Sequence, residues 1–323
     1  MKYIIFLICL LVVHASLLRQ TEFDHYLIIH SKNYSNLEYQ YRLKVFSLNM
    51  RDIEYHNSKQ LSWKEGANQF TDLTPDEFQA KFCGCLDRSH YLNMKKTIPY
   101  VYKGTLASTI DWRQQGAVSP VKDQGDCGSC WSFSVTGAVE SAYYQKKNEM
   151  IEFSEQELID CSKIAPYHNN GCQGGCTDHG MEYVTDNGLC SEKDYPYTAK
   201  DNECASDQCK KIVKVISTQQ VSFGGEESLA NMLNESVVSV ILDGTAMQHY
   251  KSGIITECDD NVNHAVLAVG YGEENGIKYW IVKNSWGSDW GEDGYVRIQK
   301  DTEGMGKCSI AIFNILVDKI ELL

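Results

Sequence analysis

No cluster of Lys and Arg relieves the acidic balance of this chain, whose formal net charge is −13. Nucleic acid is therefore not an expected partner. After residue 13 no apolar run approaches the length of a membrane span, so no transmembrane segment is expected. There is no internal repeat and no low-complexity segment, which excludes repeat architectures. The last residues, Lys319-Ile320-Glu321-Leu322-Leu323, lack the form of an endoplasmic-reticulum retention signal.

What is present fits a globular, exported chain. With 323 residues, 43% hydrophobic and 11% aromatic, it has material for one to three domains and a sizeable core. Met1-Lys2, the apolar run Tyr3 to Val13 and Val13-His14-Ala15 have the order of a signal peptide, assigned to 1–15. Ten of the 13 cysteines follow residue 106, as expected where most cysteines pair in an oxidising compartment. Asn33-Tyr34-Ser35 and Asn234-Glu235-Ser236 are sequons, making Asn33 and Asn234 candidate glycosylation sites. Charge divides unevenly along the chain. From Leu17 to Thr105 there are 12 Lys+Arg against 10 Asp+Glu, and from Leu106 to Leu323 there are 17 against 33.

Glu38, Arg42, Phe46, Asn49, Ile53 and Asn57 recur at steps of three or four and share one face of a predicted helix. Gly66 to Asp72 follows, then Thr74-Pro75-Asp76-Glu77, a helix start. Leu86 to Ser108 shows no sustained pattern and reads as an extended connector open to proteolysis. Beyond Asp111 the small and apolar residues from Phe133 to Ala142 predict a buried helix starting near Cys130, and Ser154 with Glu157 has capping-box spacing. Strands are expected over 237–242, 262–269, 279–283 and 295–298, separated by Gly-rich turns. Helices first and strands later predict an α+β protein of two packed subdomains.

A thiol becomes a good nucleophile when it ionises, and both a helix N-terminus and a nearby imidazolium favour the thiolate. The imidazole needs an orienting group, and a developing oxyanion needs fixed donors. Cys130 stands at the predicted helix start, His264 in a predicted strand, Asn284 in Lys283-Asn284-Ser285-Trp286-Gly287, and Gln124 close enough to Cys130 to share a loop. Cys127-Gly128-Ser129-Cys130-Trp131 resembles the papain-family signature around its nucleophile, with the His and Asn far downstream. The helical stripe and the Gly66, Asn68, Phe70, Asp72 pattern resemble the prosegment of the cathepsin L-like branch.

The resemblance covers the whole chain. It implies a papain-like fold, with a mainly helical left domain and an antiparallel, barrel-like right domain, behind a helical inhibitory prosegment. The divisions are 1–15, 16–105 and 106–323. It implies a cysteine endopeptidase made as a zymogen, with Cys130 as nucleophile, His264 as acid/base, Asn284 as orienter and Trp286 as shield. Gln124 and the Cys130 N–H would form the oxyanion hole. Gly174 and Gly175 would bind substrate backbone, with Asn263 nearby. Cys176, Thr177, Ile241, Val262 and Phe313 would line the pocket for P2, the residue preceding the one at the scissile bond. Phe313 departs from the acidic or small residue of relatives and should leave a shallow apolar pocket for Val or Leu.

The resemblance also implies the bridges Cys127–Cys172, Cys161–Cys204 and Cys258–Cys308. Of the remaining cysteines, Cys190 and Cys209 flank Cys204 and are expected to pair, leaving Cys176 free. Cys83 and Cys85 would pair with each other or with nothing. No metal and no cofactor is called for. Protein and peptide substrates, the chain's own prosegment and cystatin-like inhibitors are the partners implied for a monomer that ends in a lysosome, a digestive vacuole or the extracellular space. Opposite charge on prosegment and enzyme predicts latency near neutrality and self-processing in acid as carboxylates, Asp72 among them, protonate. The reading from a different class is a catalytically silent binding protein on the same fold. It conflicts with the presence of Cys130, His264, Asn284 and Gln124 together.

Overall fold

The structure, a computed structural model, describes residues 17–84 and 88–323. The expected signal peptide and Cys85 lie outside the described residues.

The N-terminal part is built on two helices, α1 (17–29) and α2 (Asn36–Ser58). The Ser35 side chain accepts the Glu38 N–H and starts α2. Phe46 of α2 packs on Phe23 and Tyr26 of α1, with ring centroids 5.2 and 4.9 Å apart, giving this part a small core of its own. The stripe read from the sequence is the face that holds the following segment. Phe46, Asn49 and Ile53 are buried. Asn49 Nδ2 donates to the Thr71 and Leu73 carbonyls at 2.7 and 2.9 Å, and Asn57 exchanges two hydrogen bonds with the Glu65 backbone. Arg42 pairs with Glu38 at 2.7 Å and forks onto Glu77 at 2.7 and 2.9 Å. Asp72 is fully buried and accepts from Tyr26, Tyr34 and Lys32, which compensates the desolvation of its charge.

That segment forms the short strand β1 (Trp63–Glu65) and the helix α3 (Pro75–Phe82), the latter started by a full Thr74/Glu77 capping box. A five-residue helix, α4 (Arg88–Leu92), interrupts the connector expected to be extended. The chain then runs without regular structure to β2 (Ile110–Asp111).

The C-terminal part is led by the buried helix α5 (Cys130–Lys147), flanked by α6 (Glu155–Cys161) and α7 (Thr177–Asn187). Next come β3 (Leu189–Cys190), β4 (Lys211–Ser222), α8 (Gly225–Leu233), β5 (Val238–Leu242) and β6 (Tyr250–Ile255). The last four strands are β7 (His264–Glu274), β8 (Ile277–Lys283), β9 (Tyr295–Gln299) and β10 (Phe313–Leu322). The sheet runs β1-β6-β9-β8-β7-β5-β10-β4-β3, with β2 beside β7. All its pairings are antiparallel except β6 with β9. One apolar core surrounds α5 and the other fills the sheet's far side, where Phe70, Phe78 and Phe82 of the N-terminal part join it. The crevice between α5 and β7 holds the site.

Four disulfides tie the loops: Cys127–Cys172, Cys161–Cys204, Cys190–Cys209 and Cys258–Cys308. Cys83 and Cys130 are free thiols. Asn33 is exposed before α2, whereas the Asn234 amide donates to Ala230 O and Tyr271 Oη at 2.8 and 3.0 Å. A glycan on that nitrogen would displace one of these bonds. Among the described residues no helix is long and apolar enough to cross a membrane.

Candidate active site

Cys130 is the first residue of α5 and is completely buried. The Cys127–Cys172 bridge and the Gly128 N–H donating to Cys172 O at 2.7 Å fix the turn that presents it. Its sulfur lies among backbone N–H groups of Trp131, Ala265 and Gly84. Ala265 follows His264, so this contact brings the thiol to the start of β7, where the imidazole stands.

His264 is held from two sides. Its Nε2 is 2.8 Å from Asn284 Oδ1. Its ring stacks on Trp286, with centroids 4.6 Å apart and planes at 25°. Trp286 is itself enclosed by Trp290, Phe70 and Phe78. Burial pushes the Cys130 thiol up to about 11, against the backbone N–H groups that lower it. Burial likewise pushes the His264 imidazole down to about 4, against the Asn284 bond that raises it. Both shifts have one cause, the loss of water from the charged forms where the cleft is covered.

Gln124 is buried, its N–H donating to Ser285 O at 2.8 Å. Ser285 Oγ donates to Gln124 Oε1 at 2.6 Å, which turns the amide NH2 toward Cys127 O at 2.8 Å and Phe82 O at 3.2 Å. Ser285 is thus a positioning residue that sequence reasoning passed over, although it sits inside the quoted Asn284-Ser285-Trp286 run.

The cleft is filled by the chain's own N-terminal part. Phe82 offers its carbonyl to Gln124, and Gly84 accepts the Gly175 N–H at 2.9 Å. A Cβ on Gly84 would fall 1.9 Å from Gly128 O, so only glycine passes here. Gly174 adopts φ 117°, the conformation that turns the chain into Gly175. Cys83 Sγ lies 3.3 Å from where a Gly244 Cβ would project, beside the His264 side chain.

Cys176, Ile241, Val262 and Phe313 are buried in one apolar cluster with Tyr91 of α4. The Tyr91 ring packs on Phe313 at 5.1 Å, and its hydroxyl accepts the Thr177 N–H at 3.0 Å. Asn263 faces the other rim, its Oδ1 accepting the Gly244 N–H at 2.8 Å. His168 and His249 take no part in this arrangement. Tyr91 was not legible as a cleft residue; a lone aromatic in a polar connector was the one signal.

Residues 106–317 match the family model for papain family cysteine protease, and residues 23–78 match the cathepsin propeptide inhibitor domain. "Cysteine proteinase 3" of Solanum lycopersicum is 45% identical over 273 residues, spanning 79% of this chain and 72% of the relative. The "Cathepsin L-like proteinase" of Fasciola hepatica is 41% identical over 263 residues, 79% of each chain. Among solved structures, procathepsin L 3 of Tenebrio molitor larval midgut superposes with TM-score 0.82 at 37% identity, covering 93% of this chain and 98% of that one. A recombinant stem bromelain precursor gives TM-score 0.83 at 35% identity, covering 92% and 98%. The chain belongs to the papain family of cysteine proteases and carries that family's cathepsin-type inhibitory propeptide.

Proposed function

We propose that Cys130 and His264 form the thiolate–imidazolium pair of an endopeptidase whose cleft is blocked by its own prosegment. The Cys130 thiolate attacks the substrate carbonyl carbon. Gln124 Nε2 and the Cys130 N–H stabilise the oxyanion. His264 protonates the leaving amine and then activates the water that opens the acyl-enzyme. Asn284 orients the imidazole and Trp286 keeps water from that hydrogen bond. The observation that supports this reading is the bond from Gln124 Nε2 to the Phe82 carbonyl at 3.2 Å: the amide proposed for the oxyanion hole already donates to a backbone carbonyl of the covering segment.

The chain is divided as a signal peptide at 1–15, a prosegment at 16–105 and a peptidase at 106–323, with the mature start near Leu106. It passes through the secretory pathway to a lysosome, a digestive vacuole or the extracellular space, and cystatin-like inhibitors are fitting partners of the opened cleft. Gly174 and Gly175 hold substrate in extended form. The P2 pocket takes apolar side chains. The seating of Tyr91 against Phe313 supports aromatic groups beside Val and Leu, and no carboxylate is among the pocket residues named above to receive Arg.

The test is cleavage of Z-Leu-Arg and Z-Val-Arg fluorogenic amides at pH 5.5 with thiol, after acid treatment of wild type and Cys130→Ala. Thiol-dependent activity, blocked by an epoxysuccinyl inhibitor and absent from the variant, is expected. A fully processed, folded wild type that cleaves nothing in a broad peptide panel would refute the assignment. In a positional-scanning library, a preference for Arg at P2 would refute the pocket.

A further inference from the structure

We propose that His90, Asp178 and His179 form a binding site for a divalent transition-metal ion of the zinc class, built partly by the prosegment and partly by the enzyme. One ligand atom of each residue lies within 4.8 Å of the others. His90 Nε2 is 2.7 Å from Asp178 Oδ2, and the two imidazole rings are 4.8 Å apart at 59°. Asp178 and His179 belong to the first turn of α7, and His90 to α4.

Two observations point to a ligand beyond these mutual contacts. Asp178 Oδ1 and His179 Nδ1 are buried and have no hydrogen-bond partner. A buried polar atom left unmatched is destabilising, so two such atoms beside one His–Asp pair form an incomplete constellation. Two imidazoles and a carboxylate are a nitrogen and oxygen set suited to Zn2+ or Co2+; Ca2+ and Mg2+ favour sites of oxygen alone. Ligand atoms at about 2.0–2.2 Å around a tetrahedral ion sit roughly 3.4 Å apart. The ligand atoms lie within 4.8 Å of one another, so reaching that spacing needs shifts of at most about 1.4 Å, the scale of side-chain rotation. Water completes the fourth position.

No short-range spacing links this set, because His90 and Asp178 are 88 residues apart. The consequence follows from the neighbour of His90. Tyr91 is the residue seated on Phe313, so an ion at this site fastens the prosegment beside its anchor in the cleft. The ion site stands independently of the endopeptidase reading; its effect on latency rests on it.

The experiment uses the full-length precursor with Cys130→Ser, which removes the reactive thiol and keeps the chain whole. Zn2+ is titrated calorimetrically and Co2+ spectroscopically, with His90→Ala, His90→Gln, Asp178→Asn and His179→Ala on the same background. The metal-free thermal midpoint establishes that each variant is folded. One equivalent of Zn2+ is expected to bind, with affinity falling at least tenfold in each variant, and the Co2+ spectrum should lack a thiolate charge-transfer band. At Zn2+ one hundred times its Kd, proteolytic nicking of the connector should slow by up to about a hundredfold, and this protection should vanish with His90→Ala. Absence of saturable binding, affinity unchanged in all the variants, or a thiolate band at full affinity would each overturn the site. Because binding is read in an inactive chain, its failure and failure of the endopeptidase reading are separate results.

Discussion

Tyr91 offers the sharpest test of how latency is held. Its ring is 1% exposed, packed on Phe313 and bonded to the Thr177 N–H. A tyrosine side chain buries about 150–250 Å2, which at about 25 cal/mol per Å2 corresponds to roughly 4–6 kcal/mol as an upper limit. In Tyr91→Ala water refills the open pocket, and the retained fraction of the loss is about 3 kcal/mol, a shift in the open population of roughly a hundredfold. Tyr91→Phe keeps the ring and removes only the acceptor for Thr177, about 1 kcal/mol or roughly fivefold. The assay is the initial rate at which an epoxysuccinyl reagent labels Cys130 in unprocessed precursor at pH 7, read by intact mass. Labelling should rise in the order wild type, Tyr91→Phe, Tyr91→Ala. If Tyr91→Ala labels within twofold of wild type, the ring does not hold the cleft closed and the argument fails.

Three further outcomes follow from the same geometry. Burial holds Cys130 up at about 11 and His264 down at about 4, so iodoacetamide should alkylate Cys130 at pH 6 at least tenfold more slowly in precursor than in processed enzyme; equal rates would show that the prosegment does not suppress the thiolate. Gly84→Ala drives a Cβ to 1.9 Å from Gly128 O, so the precursor should self-process faster while the processed enzyme keeps wild-type kcat/KM; unchanged processing would mean that Gly84 does not thread the cleft. Burial also lowers His249 to about 4, and the Gly66 N–H of the prosegment bonds to its carbonyl. An imidazole with a folded value below its unfolded value of about 6.5 contributes stability that is present above pH 6.5 and lost as pH falls toward 4. His249→Gln should therefore move the midpoint of self-processing to lower pH, and an unmoved midpoint would clear His249 of any part in it.

Glu77 is desolvated, but its bonds to Arg42 and Thr74 outweigh that and hold its carboxyl below the usual range. A carboxylate of that kind adds stability above about pH 4.3 and gives it up only as pH falls below that value. Between pH 6.5 and 4 the His249 imidazole, which burial lowers to about 4, works against closure.

The legible parts of the molecule were those with local signatures. The α2 stripe, the Thr74 and Ser154 caps and the Cys130 helix start each report on a single turn or face, and each appears in the structure. The alternating and β-branched runs at β5, β7, β8 and β9 were legible for the same reason. Less legible was what depends on distant partners. The long pairing of β10 with β4 joins residues about a hundred apart, from Phe313 with Ser222 to Leu322 with Val213, and no local pattern encodes that register. Helix α4 is five residues long, too short to persist through its own propensity, and Tyr91 and His90 dock it.

The added strand β1 has a consequence for what is left behind. It pairs with β6 through Trp63 with Gly253 and Lys64 with Ser252, and β6 has no other neighbour on that side. Removing the prosegment turns an interior strand into a border with unpaired backbone groups, an invitation to edge-to-edge association. Two features of β6 discourage it: the exposed cation of Lys251, and Gly253 with φ +94°, which breaks a flat pairing edge. A chain that unfolds after losing its first segment re-forms this border with no β1 to cover it.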